Sequence, residues 1–333
     1  MKKRILTGDN TTGKLHVGHY VGSLENRLKF QDEYETIIIA ADLHALAYPK
    51  YIVDTTLVRD GIVQAVLGNL AAGLDPEKVT FFVDSGVPEI CELSFILSTL
   101  ISSNRVLRNP TIKDEIKEKS LGDTYSLGFL NFPVLMASDI LAAKADLVPI
   151  GEDQLPHLEL TREIVAKFNG AFKPVLKEPS PLIGRVARLM GIDGNAKMSK
   201  SLDNTIYLDE STQLLKEKIK RMYTDPTRIH ATDPGKVEGN PVFDYHDAFN
   251  PNKEEVTDLK ERYVQGKVGD VEVKDKLFIA METLIAPMRE RYITYAQKPD
   301  FVYELLHEGT KKVRRMAEST LDEVKEAMYL PKF

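Results

Sequence analysis

The chain has no tryptophan and a single cysteine, Cys91, among its 333 residues. One thiol excludes an internal disulfide and any cysteine-rich metal cluster. No apolar run reaches the ~18 residues that a membrane-crossing helix needs. The opening MKKRILTGDN starts basic but lacks the long apolar segment of a secretory leader, so the expectation is a cytosolic protein without membrane contact. Positive charge is also in short supply. Lys and Arg total 44 against 50 Asp and Glu, a net charge of −6. That balance argues against a generic nucleic-acid coat protein but leaves room for a local basic surface. KEKIKR (216–221) and KKVRR (311–315) are the candidates, and both read as solvated helix faces. No internal repeat or low-complexity tract is visible. What remains is a globular composition, 43% hydrophobic and 28% charged, in a chain long enough for one large or two ordinary domains.

Short β-branched and apolar runs alternate with helical patterns in the first half. RILT (4–7), TIIIAAD (36–42), VTFFVDS (79–85) and DLVPIG (146–151) read as strands. Val17, Val21, Leu24 and Leu28 share one helix face. Asp54 or Thr55 caps a second helix, with Leu57, Val63, Leu67 and Leu70 inward and Gly73 and Pro76 closing it. Strand–helix–strand order requires crossovers and therefore a parallel sheet, whose ligands bind beyond the strand C-termini at a topological switch point. Residues 90–102, 132–143 and 155–170 read as further helices, the last stopped by Asn169 and Gly170. GIDGNAKMSKSLDN (191–204) is apolar-poor and reads as a loop. Beyond it the chain is helical over about 209–222, 253–264, 270–296 and 300–328, with a turn-rich segment at 224–251. The fold class is α/β, with a smaller all-helical C-terminal part.

Two constellations carry chemistry. The first is His16-Val17-Gly18-His19, just after the first strand. A zinc site needs three or four ligands, and nothing nearby proposes the rest. Two polar residues at a helix start is the plain alternative. The phosphate reading has a mechanism: imidazoles add donors at a helix N-terminus that already favours an anion, and Gly18 lets a flat ring approach the backbone. The second constellation is Lys197-Met198-Ser199-Lys200-Ser201, two ammonium groups and several hydroxyl and amide donors on a loop. Such a loop suits the charge that develops as pyrophosphate leaves.

HVGH followed about 180 residues later by KMSKS in a parallel α/β chain resembles the class I aminoacyl-tRNA synthetases. AADLHAL (40–46), FPVLMASDI (132–140) and GEDQLPHLELTREIVAKFN (151–169) are similar to the tryptophan branch of that family. The tyrosine branch typically carries Gln where this chain has Met136. The resemblance implies a Rossmann-like catalytic domain over about 1–190, with the C-terminal helix (about 297–333) packing on it, the KMSKS loop at 191–204, and a helical anticodon-binding domain over about 205–296. It further implies activation of L-tryptophan by MgATP, transfer to tRNA(Trp), and a homodimer with an apolar surface from helices near 88–135.

Residue by residue, the resemblance implies that His16, His19, Lys197 and Lys200 are catalytic. Asn10, Gly18, Gly151, Asp153, Met198 and Ser199 join them in holding ATP. Asn10 stands where the family often has Gln. Phe132, Met136, Asp139, Val148, Ile150, Gln154 and His44 would hold tryptophan, and Leu147 would be a further wall. Met136 and Asp139 are three apart and so face one pocket. A soft Met suits a large ring, and Asp139 suits the indole N–H, the one polar group of the side chain. Lys113 is a candidate phosphate contact, and His157 is expected at the solvent or the helix start. Many bacterial tryptophan enzymes read Thr-x-Gly-Asn where this chain reads HVGH, and the His form is general in class I. Some relatives carry a C-terminal iron–sulfur site, which a chain with one cysteine cannot form. Tyrosine is the alternative substrate. From other classes, the alternatives are a tryptophan-sensing protein and a nucleotidyltransferase acting on a small phosphate ester.

Overall fold

The computed structural model describes residues 2–118, 121–122, 124–183, 189–194, 198, 202–228, 230 and 232–331. Five strands form one parallel sheet: β1 (Arg4–Asn10), β2 (Glu35–Ala41), β3 (Val79–Val83), β4 (Leu147–Ile150) and β5 (Ser180–Ile183), in the order β3-β2-β1-β4-β5. From the central β1 the chain moves outward to β2 and β3, then returns to β4 on the other side of β1. The switch point therefore lies between the C-termini of β1 and β4, where Asn10 and Gly151 emerge.

Both faces of the sheet are covered, which is why residues 37–41 are continuously apolar. Side-chain alternation sends Ile37 and Ile39 to one face and Ile38 to the other. On the first face Ile37, Ile39 and Phe82 pack with Leu93, Phe129, Ile164 and Val313. These come from the helices Pro88–Ser98, Leu127–Ala142, Leu155–Ala171 and Pro299–Ala327. On the second face Ile38 and Phe81 pack with Val17, Leu24 and Val66, and this layer runs on into Leu215, Leu259, Leu277 and Ile285 of the C-terminal helices. The helix Pro299–Ala327 returns to β3, where a Cβ on Gly309 would stand 1.8 Å from the Phe81 carbonyl oxygen. Thr310 Oγ1 accepts from the Val83 N–H at 3.2 Å. No described helix is long and apolar enough to cross a membrane.

Several elements depart from the sequence reading. β5 was not anticipated, because Ser180–Ile183 is short and contains Pro181, which suits an edge position. Pro241–Phe249 forms a helix inside the turn-rich segment, started by Asn240 Oδ1, which accepts from the Val242 N–H. The helix expected over 90–102 runs instead from Pro88 to Ser98, and a separate short helix, Ser103–Leu107, follows it. Asn169 and Gly170 lie inside Leu155–Ala171 rather than stopping it. Leu57, expected inward, is 38% exposed. The four charged residues of the run 311–315 are exposed, and three are tied by ion pairs: Lys311 to Glu308, Lys312 to Glu35, and Arg314 to Glu89. In the run 216–221, Lys218 is only 3% exposed.

Candidate active site

The HVGH turn is built from β1 outward. Gly13 takes φ 114°, a left-handed conformation that suits glycine, and the chain then buries Leu15 in the core. Gly61 lets the next helix come so close that a Cβ there would lie 1.8 Å from the Thr11 carbonyl oxygen. Val17–His19, Tyr20–Leu24 and Glu25–Phe30 run on as one helix with a π-turn in its middle.

At its start, His16 and His19 cap each other's backbone. His16 Nδ1 accepts from the Gly18 N–H at 3.2 Å, and His19 Nδ1 accepts from the His16 N–H at 3.1 Å. Each Nδ1 must present a lone pair, so each ring carries its proton on Nε2. The rings lie 3.9 Å apart, centroid to centroid. The turn thus presents two oriented N–H donors at a helix N-terminus, an arrangement suited to phosphate oxygens.

This helix is fixed to β1 by Arg27, which is buried. Its guanidinium holds Asp9 bidentately at 2.6 and 3.1 Å and also bonds Asn69 Oδ1, Thr7 Oγ1, the Gly8 carbonyl and Ser23 Oγ. A buried ion pair is tolerated when every remaining donor is satisfied, as here.

The segment leaving the KMSKS loop is joined to HVGH by backbone. The Val17 N–H donates to the Ile206 carbonyl at 3.0 Å and the Leu208 N–H to the Leu15 carbonyl at 3.2 Å, with His16 opposite Tyr207. Lys14 pairs with Asp209 beside it. Met198 is buried, and its sulfur would lie 3.3 Å from a Cβ on Gly18, with the His16 ring at 3.0 Å. The sulfur and the imidazole therefore take the space that a side chain at residue 18 would need. Lys197, Ser199 and Lys200 lie outside the described residues.

On the opposite face of the sheet a second group gathers. Phe132, Met136, Val148 and Ile150 belong to one apolar cluster, and Phe132 meets the His44 ring edge-on at 4.9 Å. Leu147 is not part of that wall, because strand alternation turns it away from Val148 and Ile150. His44 Nε2 lies 2.7 Å from Asp139 Oδ2, while Asp139 Oδ1 is buried with no hydrogen-bond partner.

Behind His44 sits Asp84, fully buried. Its Oδ1 accepts from the N–H groups of Asp42, Leu43 and Ser85, while its Oδ2, 3.9 Å from His44 Nε2, has no hydrogen-bond partner. Burial pushes the Asp84 acid well above the ordinary carboxylate range, and the neighbouring Asp42 and Asp139 add to this. Burial also raises Asp139, against the opposing contact with His44.

His44, Asp84 and Asp139 bring their ligand-type atoms within 4.8 Å of one another. A tetrahedral zinc with bonds near 2.1 Å would hold its ligands about 3.4 Å apart. The 2.7 Å between His44 and Asp139 is instead the spacing of a charge-assisted hydrogen bond.

GEDQ follows β4. Gln154 Nε2 donates to Asp153 Oδ2 at 3.2 Å, and a Cβ on Gly151 would meet Asp153 Oδ1 at 2.6 Å. The turn is braced from below: Thr111 Oγ1 donates to the Asp153 carbonyl at 2.7 Å and Asn109 Nδ2 to the Pro156 carbonyl at 3.0 Å. Asn10 Oδ1, across the switch point, is buried without a partner. Lys113 is exposed.

His157 is fully buried rather than at the solvent, because the first turn of its helix packs against Phe132 at 5.5 Å. Burial lowers its pKa from an ordinary 6.5 to about 4. The unfolded chain therefore takes up this proton at higher pH than the folded one. Stability is full above pH 6.5 and is lost as pH falls toward 4, by about 1.4 kcal/mol per pH unit across that window. His157→Gln should flatten the fall of the urea midpoint over that range. A variant as acid-sensitive as the native chain would contradict this.

Sequence reasoning missed Arg27, Asp84, Asn109 and Thr111. The only signal was their type: an Arg inside an apolar helix face, and an Asp and an Asn-Pro-Thr at element ends.

Residues 1–286 match the family described as tRNA synthetases class I (W and Y). The tryptophan–tRNA ligase of Lactococcus lactis is 48% identical over 335 residues, spanning 98% of each chain. That of Borreliella burgdorferi is 46% identical over 338 residues, spanning all of this chain and 95% of its own. The crystal structure of tryptophanyl-tRNA synthetase from Campylobacter jejuni, complexed with ADP and tryptophan, superposes with a TM-score of 0.82 at 31% identity, covering 98% of this chain and all of that one. The paired HVGH and KMSKS signatures, the parallel sheet and these full-length likenesses agree: the chain belongs to the class I tRNA synthetases of the tryptophan and tyrosine type.

Proposed function

We propose that the protein is a tryptophan–tRNA ligase. It condenses L-tryptophan with MgATP to tryptophanyl-adenylate and pyrophosphate, then transfers the tryptophanyl group to the 3′ end of tRNA(Trp). The observation that carries the substrate assignment is the unpartnered, buried Asp139 Oδ1 beside Phe132, Met136, Val148 and Ile150. A buried acceptor in an apolar pocket calls for a flat apolar ligand with one donor; indole has that chemistry, and Met136 in place of the tyrosine branch's Gln favours it over a phenol.

The reaction needs little acid–base work. A carboxylate oxygen of tryptophan bonds to the α-phosphorus. The bond from that phosphorus to the bridging oxygen breaks, and pyrophosphate leaves with the electron pair. Catalysis is positioning plus stabilisation of the charge on the phosphates. The Nε2–H groups of His16 and His19, together with Lys197 and Lys200, supply the latter. Met198, Ser199, Gly18, Asn10 and Gly151 line the nucleotide. Asp153 accepts from the ribose hydroxyls, and Gln154 holds the polar end of the amino acid. Mg²⁺ enters as part of the substrate, on the ATP phosphates.

Residues 1–190 form the catalytic domain and residues 205–296 the part that contacts the tRNA anticodon. Phe95, 73% exposed on Pro88–Ser98, and Leu127, 84% exposed on Leu127–Ala142, support a homodimer through these helices. The enzyme acts in the cytoplasm. Charging of tRNA tests the second half-reaction. Purified protein with ATP, labelled tryptophan and tRNA(Trp) should give acid-precipitable, base-labile label, and pyrophosphate exchange without charging would leave only the first step standing.

A further inference from the structure

Lys218 is a charged side chain with almost no exposure, on the helix Thr212–Arg221. Its ammonium bonds the Thr205 carbonyl at 2.9 Å and Glu210 Oε2 at 2.5 Å, and it stands 5.0 Å from the centre of the Tyr207 ring. Glu210 is buried too, and the same Oε2 accepts from the Tyr207 N–H at 3.2 Å. The Glu210 carbonyl accepts from Arg289 Nε at 2.5 Å, and Arg289 also bonds Thr212 and Glu282. One buried ammonium thus fastens both ends of a six-residue segment, 205–210, to the first of the C-terminal helices. The middle of that segment is the stretch paired with the HVGH turn: Ile206 and Leu208 bond Val17 and Leu15, and Tyr207 lies opposite His16.

We infer that Lys218 and Glu210 are positioning residues. Their ion pair holds Tyr207 and its neighbours against residues 15–17, and so sets the orientation of His16 from the C-terminal helices. Two desolvated charges are a costly way to fasten a segment, and an apolar pair of similar volume would often be as stable or more so. What the pair adds is direction. Thr205 and Glu210 can meet one ammonium only in one register, and that register fixes which residue faces His16. The assignment of His16 to the phosphates rests on the function proposed above; the positioning of its ring does not.

The test uses the full-length protein and three variants: Lys218→Met, Glu210→Gln and the double variant. Each single change leaves one buried group uncompensated, so Tm falls. The double change removes both charges, and Tm returns most of the way. We expect kcat for tryptophan-dependent pyrophosphate exchange to stay roughly 10–100-fold down in the double variant, while the KM for tryptophan changes less than about two-fold, the signature of a lost transition-state contact. Lys218→Arg, which keeps the charge but moves its centre, should hold Tm and lose part of kcat.

Independently of activity, ¹⁵N-histidine spectra should show His16 in its Nε2–H tautomer in the native chain and in tautomeric exchange in the double variant. A double variant with native Tm, native kcat and an unchanged His16 spectrum overturns the inference and makes the pair a structural fastening only. If the native chain shows no exchange with tryptophan, the function fails, and the His16 spectrum alone decides this point.

Discussion

Asp139→Ala raises the KM for tryptophan by roughly 10–150-fold, the range expected for losing a hydrogen bond to a charged acceptor worth about 1.5–3 kcal/mol. Asp139 Oδ2 is held by His44, while Oδ1 is buried and unpartnered. Binding an indole N–H satisfies that oxygen, whereas binding phenylalanine leaves it stranded. Sites built to bond a substrate donor reject analogues lacking it by about 10⁴–10⁵-fold. The variant should therefore lose discrimination against phenylalanine as well as affinity for tryptophan, with kcat affected less. Because the chain contains no tryptophan, the ligand's own emission reports binding directly and separates Kd from KM. An unchanged KM would mean that the indole N–H is read elsewhere.

His16→Ala lowers kcat for adenylate formation by about 10²–10³-fold, the cost of removing one preorganised donor from charge that develops in the transition state. The KM for tryptophan should move little, since Leu15 and Val17 beside His16 pack on one face of the sheet and Phe132, Val148 and Ile150 of the Asp139 pocket on the other. Alanine also removes the cap on the Gly18 N–H. His16→Asn separates the two roles: its amide oxygen is a strong N-cap acceptor, but it has no donor at the reach of Nε2. If the ring donor is what matters, His16→Asn regains stability and not rate. The KMSKS signature predicts the same kinetic pattern for Lys197→Ala and Lys200→Ala. A single-turnover rate equal to the native one for His16→Ala would refute the donor role.

Much of this arrangement is legible in the sequence, for physical reasons that also mark where legibility stops. TIIIAAD and VTFFVDS announce buried parallel strands because both faces are covered, so no polar alternation is left. Met136 and Asp139 are legible as neighbours because a helix puts residues three apart on one side. HVGH is legible as a helix start, although its reciprocal imidazole caps are not.

Long-range polar partners leave no local trace. Nothing near Arg27 in sequence names Asp9 and Asn69, which lie 18 and 42 residues away. Nothing in KEKIKR distinguishes Lys218, which is buried, from Lys216 and Lys220, which are exposed. Period and spacing record which face a residue takes; whether that face is covered depends on elements elsewhere in the chain. Pro241–Phe249 escaped for the opposite reason. Its caps are local and legible, but Pro and Gly around it outweighed them.

The most direct measurement is amino-acid-dependent exchange of pyrophosphate into ATP by the purified protein, with tryptophan and tyrosine in parallel. Exchange with tryptophan alone is expected, because Asp139 Oδ1 awaits one donor in a pocket where Met136 stands in place of the Gln typical of the tyrosine branch. Exchange with tyrosine and not tryptophan would keep the fold and the phosphate site but contradict the pocket, and exchange with neither would contradict the proposed function itself.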